Sequence, residues 1–136
     1  RVVQDDMTTG PDGRRIDLVE FVSTNRPSLV LKPSNATRGE GLLVGPFTDA
    51  REWDGTISEV LANGKPYVVQ EYIRGRRLSA VHSTDGIVGP LWSGLDTYVF
   101  GGKFAGFQAR ASFDPVMNVG RRGILLPVVV REEQTR

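Results

Sequence analysis

Apolar positions along the chain fall into one long stripe and several short runs. Trp53, Ile57, Val60 and Leu61 recur at i, i+4, i+7 and i+8, the spacing of a single helix face. Thr48 or Asp49 can cap the start of that helix, acids gather in its first turns, and Asn63-Gly64 supplies the stop. Gly55 weakens its middle without removing it. Earlier, Ile16, Leu18, Val19, Phe21 and Val22 predict a short helix that ends before Asn25 and Pro27. Residues 29–32, "LVLK", read as a buried strand, with residues 41–45 as its return partner across a loop. The β-branched and aromatic run "YVVQEYI", residues 67–73, is a further strand. From Ile87 onward the pattern is all β. Gly101-Gly102 sits between "LDTYVF" and "KFAGFQARA" as a hairpin turn, because paired glycines accept positive φ. A last strand is expected over residues 124–130. The opening "VVQDDMTTGPDGRR" is polar and turn-rich, and reads as a mobile lead-in. The order helix, strand, loop, strand, helix, strand, then sheet predicts an α+β fold, a mixed or antiparallel sheet with packed helices.

Composition narrows the function classes. In 136 residues, 39% apolar and 24% charged content are ordinary globular values, so the chain makes one domain or a piece of one. A net charge of +1 predicts no strong field, and hence neither a nucleic-acid nor a membrane-surface partner. With no cysteine, a disulfide scaffold and a thiolate metal site are excluded, and a reducing, cytoplasmic setting is expected. The longest apolar run, residues 124–130, is too short to span a bilayer and contains Pro127. The start at Arg1 and the polar end "REEQTR" suggest a segment of a longer polypeptide. It divides into a flexible lead at 1–15, a body at 16–131 and a polar tail at 132–136.

Three stretches carry candidate chemistry. In "LVLKPSNATRGEGLLVG" a strand ends on Lys32 and hands over to a loop holding Ser34, Arg38, Gly39 and Gly41. Phosphate needs backbone N–H groups that approach closely, which glycine permits, and a cation at a fixed place. The lysine precedes the glycines, unlike a P-loop, and no helix opens at the last glycine, unlike a dinucleotide fingerprint. A plain hairpin loop with an incidental lysine is the competing reading. In "YVVQEYIRG", Gln70, Glu71, Tyr72 and Ile73 make a strand end whose backbone can offer a donor and an acceptor to a purine edge. An ordinary strand with one outward carboxylate would look the same. The third stretch carries Arg110. Period-two counting places Gln108, Gly106 and Phe104 on its face, and Ala109, Ala105 and Lys103 on the other. A guanidinium beside a glycine suits phosphate or carboxylate, or simply a solvated strand face. His82 is the only histidine, which rules out a histidine-based metal cluster, and Arg74, Arg76 and Arg77 read as a solvated basic turn.

Taken in this order, "VLKP", a small-residue and glycine loop, a helix, "VVQEYI" and a later strand with "AG…AR" resemble the ATP-grasp superfamily. The pattern is similar to its circularly permuted branch, the glutathionylspermidine synthase-like carboxylate–amine ligases, from about Asp17 to Val130. The resemblance implies ATP and Mg2+ as cofactors, and a small-molecule or peptide substrate whose carboxylate is activated as an acylphosphate for attack by an amine. It implies that Lys32 contacts the nucleotide phosphates and that Arg38, Gly39 and Gly41 lie in a lid; Ser34, from the loop's own composition, is a further candidate for binding the nucleotide. Gln70, Glu71, Tyr72 and Ile73 would form the adenine hinge, and Arg110 would face the transferring phosphoryl group as the catalytic residue. Two features depart from the family. Arg38-Gly39 stands where relatives often carry two glycines, and no Glu-x-Asn pair follows the hinge, so the metal ligands are expected upstream of this segment. A noncatalytic α+β module that keeps the shape without the chemistry is the alternative.

Overall fold

A computed structural model describes residues 7–36, 39–79, 81–117 and 123–130, with backbone alone at 81–83 and 87–88. The fold is α+β, and every strand pair among the described residues is antiparallel. The chain divides into two compact units, Arg1–Ile73 and Arg74–Arg136.

The first unit opens with a hairpin, β1 (Met7–Thr9) against β2 (Arg15–Asp17). Part of the stretch read as a mobile lead-in is therefore ordered. Its turn residues make the hairpin: Gly10 N–H donates to the Arg14 carbonyl, and Asp12 accepts from the Arg14 N–H. Ile16 belongs to β2 and not to the following helix, α1 (Leu18–Thr24). The boundary moves because Asp17 caps the helix, accepting from the Glu20 N–H at 2.9 Å.

A short 3-10 turn (Arg26–Ser28) leads into β3 (Leu29–Pro33), the centre of a three-stranded sheet. On one side lies β4 (Leu43–Val44), and on the other β5 (Tyr67–Glu71). Between them, a second 3-10 turn (Gly45–Phe47) precedes α2 (Ala50–Asn63). The long helix forms as its stripe predicts. Asp49 is the cap, accepting from the Glu52 N–H at 2.9 Å, and Gly64 closes it at φ 61°.

Val22, Leu29, Leu31 and Trp53 form the buried centre, with Leu18, Phe21, Leu43, Ile57, Tyr67 and Val69 packed around it. The alternation of β3 sends Leu29 and Leu31 to the helices and Val30 and Lys32 to the other face. Trp53 is fully buried, and its indole N–H donates to the Val22 carbonyl at 3.0 Å, tying α2 to α1. The two 3-10 turns touch even more closely. A Cβ at Gly45 would stand 1.7 Å from the Arg26 carbonyl oxygen and 2.7 Å from that of Leu29. The Arg26 guanidinium then donates to the Gly45 carbonyl at 2.6 Å and to the Thr48 carbonyl.

The second unit is all β. Its main sheet has the order β11-β10-β9-β6, with β6 (Arg76–Leu78), β9 (Leu91–Phe100), β10 (Lys103–Ser112) and β11 (Ile124–Leu126). A separate hairpin pairs β7 (Val81–Ser83) with β8 (Gly86–Val88). The β9–β10 turn is the expected one, with Gly101 at φ 56° and Gly102 at φ 75°. The last strand is shorter than its apolar run: it stops at Leu126 because Pro127 has no N–H to continue the ladder. Arg76 and Arg77 lie in β6, not in a solvated turn, and the Arg77 guanidinium covers the Trp92 ring at 4.3 Å.

Two substitutions test the first unit's centre. Gly45→Ala has no room for its methyl group against backbone, so loss of the cooperative unfolding transition in circular dichroism is expected. A variant melting within a few degrees of the parent would refute the close approach. Trp53→Phe removes the indole hydrogen bond and leaves a void, at an expected cost of about 2–4 kcal/mol in denaturant unfolding. A cost below about 1 kcal/mol would show that the Trp53–Val22 link contributes little.

Candidate functional site

The first unit presents a sheet face that its helices do not cover. Lys32 pairs with Val68, and Val30 with Gln70, so Lys32 and Gln70 project on the same side, away from the helix-packed Leu31 and Val69. Lys32 is half-buried and Gln70 exposed. A half-buried lysine on a central strand has its stem packed and its ammonium group directed outward, which suits contact with an anion.

The loop after Lys32 is tied down at its start. The Ser34 N–H and hydroxyl both donate to the Pro66 carbonyl at 3.0 Å, so this hydroxyl, expected at phosphate, anchors the loop to the segment before β5. Gly39 and Gly41 adopt φ 73° and 67°, conformations that side chains disfavour. Gly41 also lies against Pro33 and the Tyr67 hydroxyl, where a Cβ would come within 2.9 and 3.2 Å. The glycines thus serve the turn and its packing as well as any close approach by a ligand. Arg38 lies outside the described residues.

The expected adenine hinge is an edge strand, since β5 has only β3 as a ladder partner among the described residues. The Tyr72 N–H donates inward to the Ser28 carbonyl at 2.8 Å. By antiparallel alternation, the N–H and C=O of Glu71 face the open edge instead. Tyr72 is half-buried, with its ring edge-on to Phe47 at 6.1 Å, and Ile73 stands 83% exposed. The Glu71 side chain lies opposite Leu29, on the other side of the sheet from Lys32, so backbone and not carboxylate is what this strand end offers on its edge.

The second unit holds Arg110, and here the face assignment needs correction. Phe104 pairs with Val99 and Gly106 with Tyr98, leaving Ala105 as an extra residue, a bulge with Gly106 at φ 136°. Beyond the bulge the alternation inverts. Gln108 and Gly106 remain on the Arg110 face, but Phe104 moves to the opposite face, where its ring packs 4.8 Å from Phe107. Lys103 moves to the Arg110 face. The isolated glycine within a strand pattern is the signal that period-two counting ignored.

The inverted register also selects Arg110's partner. Its guanidinium makes a two-pronged contact with Asp96, Nε to Oδ2 at 2.7 Å and Nη2 to Oδ1 at 2.9 Å, with both side chains about one-third exposed. Next to it the Tyr98 hydroxyl donates to Gln108 Oε1. Met117 lies over Gly94, directly across from Arg110, where a Cβ would meet its methyl at 2.9 Å. Asp96 and Tyr98 were not among the expected site residues.

Cavities help little in choosing a ligand. An apolar cavity of about 40 Å3 beneath α1 and α2, lined by Leu31, Ile57 and Val69 among others, is far too small for a nucleotide. A larger trough in the second unit lies mainly against apolar Leu78, Leu95, Leu126 and Val128. No group of three or more His, Asp or Glu side chains able to hold a metal occurs among the described residues, and no helix there is long and apolar enough to cross a membrane. No protein-family model and no curated protein sequence matches the chain.

Proposed function

We propose that this chain is the ATP-binding portion of a circularly permuted ATP-grasp ligase, one that activates a carboxylate as an acylphosphate for attack by an amine. The observation that supports it best is that Lys32 and Gln70 share the helix-free face of the β4-β3-β5 sheet, beside a loop with two positive-φ glycines. In this reading the Lys32 ammonium meets the phosphates. The outward N–H and C=O of Glu71 meet the adenine edge, with Ile73 as an apolar neighbour. ATP, when bound, supplies the phosphoryl group. No cluster of three or more His, Asp or Glu side chains stands among the described residues, and in this reading the magnesium ligands lie upstream of the segment. Arg110 would stabilise charge that develops as the phosphoryl group moves, by position and not by covalent chemistry.

One observation favours the second reading, a noncatalytic α+β binding module. Arg110 already has a carboxylate partner in Asp96, so its charge is compensated without any ligand. The two readings separate on kinetics.

In the full polypeptide, Lys32→Ala is expected to weaken ATP binding by roughly tenfold or more, since a hydrogen bond to a charged group contributes about 1.5–3 kcal/mol. Thermal stability should stay near that of the parent, because the ammonium group faces away from the core. Calorimetric titration checks the first and a melting curve the second; equal loss of both would make Lys32 a structural residue.

Arg110→Lys keeps the charge and loses the fork. Nucleotide affinity is then expected to hold while kcat falls roughly a hundredfold, as for loss of one transition-state donor. Parental turnover in that variant would remove Arg110 from the catalytic role. ATP binding with no turnover of any carboxylate–amine pair by the parent would favour the module.

A further inference from the structure

The register of the second unit's main sheet builds a furrow on one of its faces. Leu126 pairs with Ala109 and Ala109 with Leu95, so these three side chains project together. Two residues along, Ser93 and Arg76 pair on the same face, and Leu78 follows on β6. The small Ala109 and Ser93 make a low floor. Leu78, Leu95, Leu126 and Val128 stand around it and enclose a trough of about 550 Å3. Arg110 borders the trough by its backbone, because strand alternation sends its guanidinium to the opposite face with Asp96.

The chemistry of this trough differs from that of the Lys32 face. Its volume lies in the range of small-ligand sites, about 300–1,000 Å3, but its aliphatic walls offer the base and ribose of a nucleotide few polar partners. Arg76 brings a charged side chain to it. No acid lines the trough among the described residues, and no ion pair there uses the Arg76 guanidinium. The Ser93 hydroxyl is already engaged, donating to the Arg76 carbonyl at 3.2 Å. The polar chemistry therefore reduces to one planar fork at the end of an apolar trough. That fork matches the two oxygens of a carboxylate. A phosphate monoester, at about −1.5 to −2 near neutral pH, would leave charge uncompensated beside aliphatic walls.

We infer that this trough binds an aliphatic monocarboxylate, with the carboxylate on Arg76 and the chain along Leu78, Leu95 and Leu126. From β6 to β11 the sheet is three strand spacings wide, about 14 Å, so a medium-length chain can lie across it. Each methylene set against the walls adds to affinity, while the guanidinium fixes which end of the chain lies where. A concave furrow admits a single chain, whereas a bilayer presents a broad surface that does not enter between Leu95 and Leu126. The inference concerns the second unit alone and is independent of the nucleotide reading.

Calorimetric titration of the full polypeptide with straight-chain carboxylates tests this. Decanoate should bind, and shortening it to hexanoate should weaken binding by up to about fourfold per methylene removed. Decanol keeps the chain and lacks the charge, and should bind about tenfold or more weakly than decanoate. Arg76→Gln should bring decanoate down to the affinity of decanol while leaving decanol unchanged, a split that general loss of folding would not produce. Ala109→Leu raises the floor into the trough and should weaken both ligands with an unchanged circular dichroism spectrum. The inference is overturned by no binding of decanoate up to millimolar concentration, by equal affinity for decanoate and decanol, or by an Arg76→Gln variant that binds decanoate like the parent. Co-flotation with anionic phospholipid vesicles without decanoate binding would assign the face to a membrane surface. Decanoate affinity that falls as protein concentration rises would assign it to a second copy. Either result also overturns the monocarboxylate.

Discussion

The first unit depends on one close passage of backbone past backbone. At Gly45 the chain runs so near the Arg26 carbonyl that no side chain fits, and the Arg26 guanidinium then reaches over to hold the Gly45 and Thr48 carbonyls. This contact joins the turn that enters β3 to the turn that leaves β4. It therefore fixes where the second arm of the Lys32 loop comes back. The first arm is fixed separately, by Ser34 on the Pro66 carbonyl. With both arms held, Gly39 and Gly41 accommodate the return at positive φ. The Gly45 carbonyl also accepts from the Thr48 N–H, so the arginine clamps the start of the second 3-10 turn to the residue that follows it.

In the second unit the corresponding constraint is the extra residue at Ala105. A two-glycine turn sets Lys103 opposite Phe100, and an unbroken ladder from there would put Arg110 opposite Ser93. The bulge advances the register by one, so Arg110 sits opposite Gly94 and diagonal to Asp96. One inserted residue thus decides which carboxylate the guanidinium meets. It also separates the ribbon into a proximal part with polar pairs and a distal part whose aromatic side chains lie in the open.

These two constraints explain what could be read from the sequence and what could not. The long helix, its cap at Thr48 or Asp49, its stop at Asn63-Gly64, the β3–β4 return and the diglycine turn were legible because each follows from local propensity or period; the structure selects Asp49 as the cap. The N-terminal hairpin was missed because its strands are only three residues long, too short for a period to emerge among turn residues. The Gly45 contact could not be read at all, since nothing local distinguishes a glycine required by Arg26 from one required by a turn. For the site, Lys32 and Gln70 share a face as strand alternation implies. Asp96, by contrast, becomes Arg110's partner only through a register that Gly106 signals but does not quantify. Ser34 was assigned to phosphate on loop composition; its hydroxyl also fastens the loop to the Pro66 carbonyl, a contact composition does not signal.

The Arg110–Asp96 pair need not oppose a role for Arg110 in catalysis. With both side chains about one-third exposed, the pair is near the surface regime, where an ion pair contributes about 0–1 kcal/mol because solvent screens it and ordering two side chains costs entropy. A phosphoryl group in a water-poor cleft presents more charge, and a charge-assisted bond to it contributes about 1.5–3 kcal/mol. The guanidinium could therefore exchange Asp96 for such a ligand at little cost, or keep one prong on each. The carboxylate holds the fork in a single plane, so binding any such ligand would cost less side-chain entropy. A neutral partner such as Gln108 would orient the fork less firmly. A buried carboxylate would bind it too tightly to release. A partly exposed Asp96 lies between these extremes, and that balance is set by the bulge two strand positions away from Gln108.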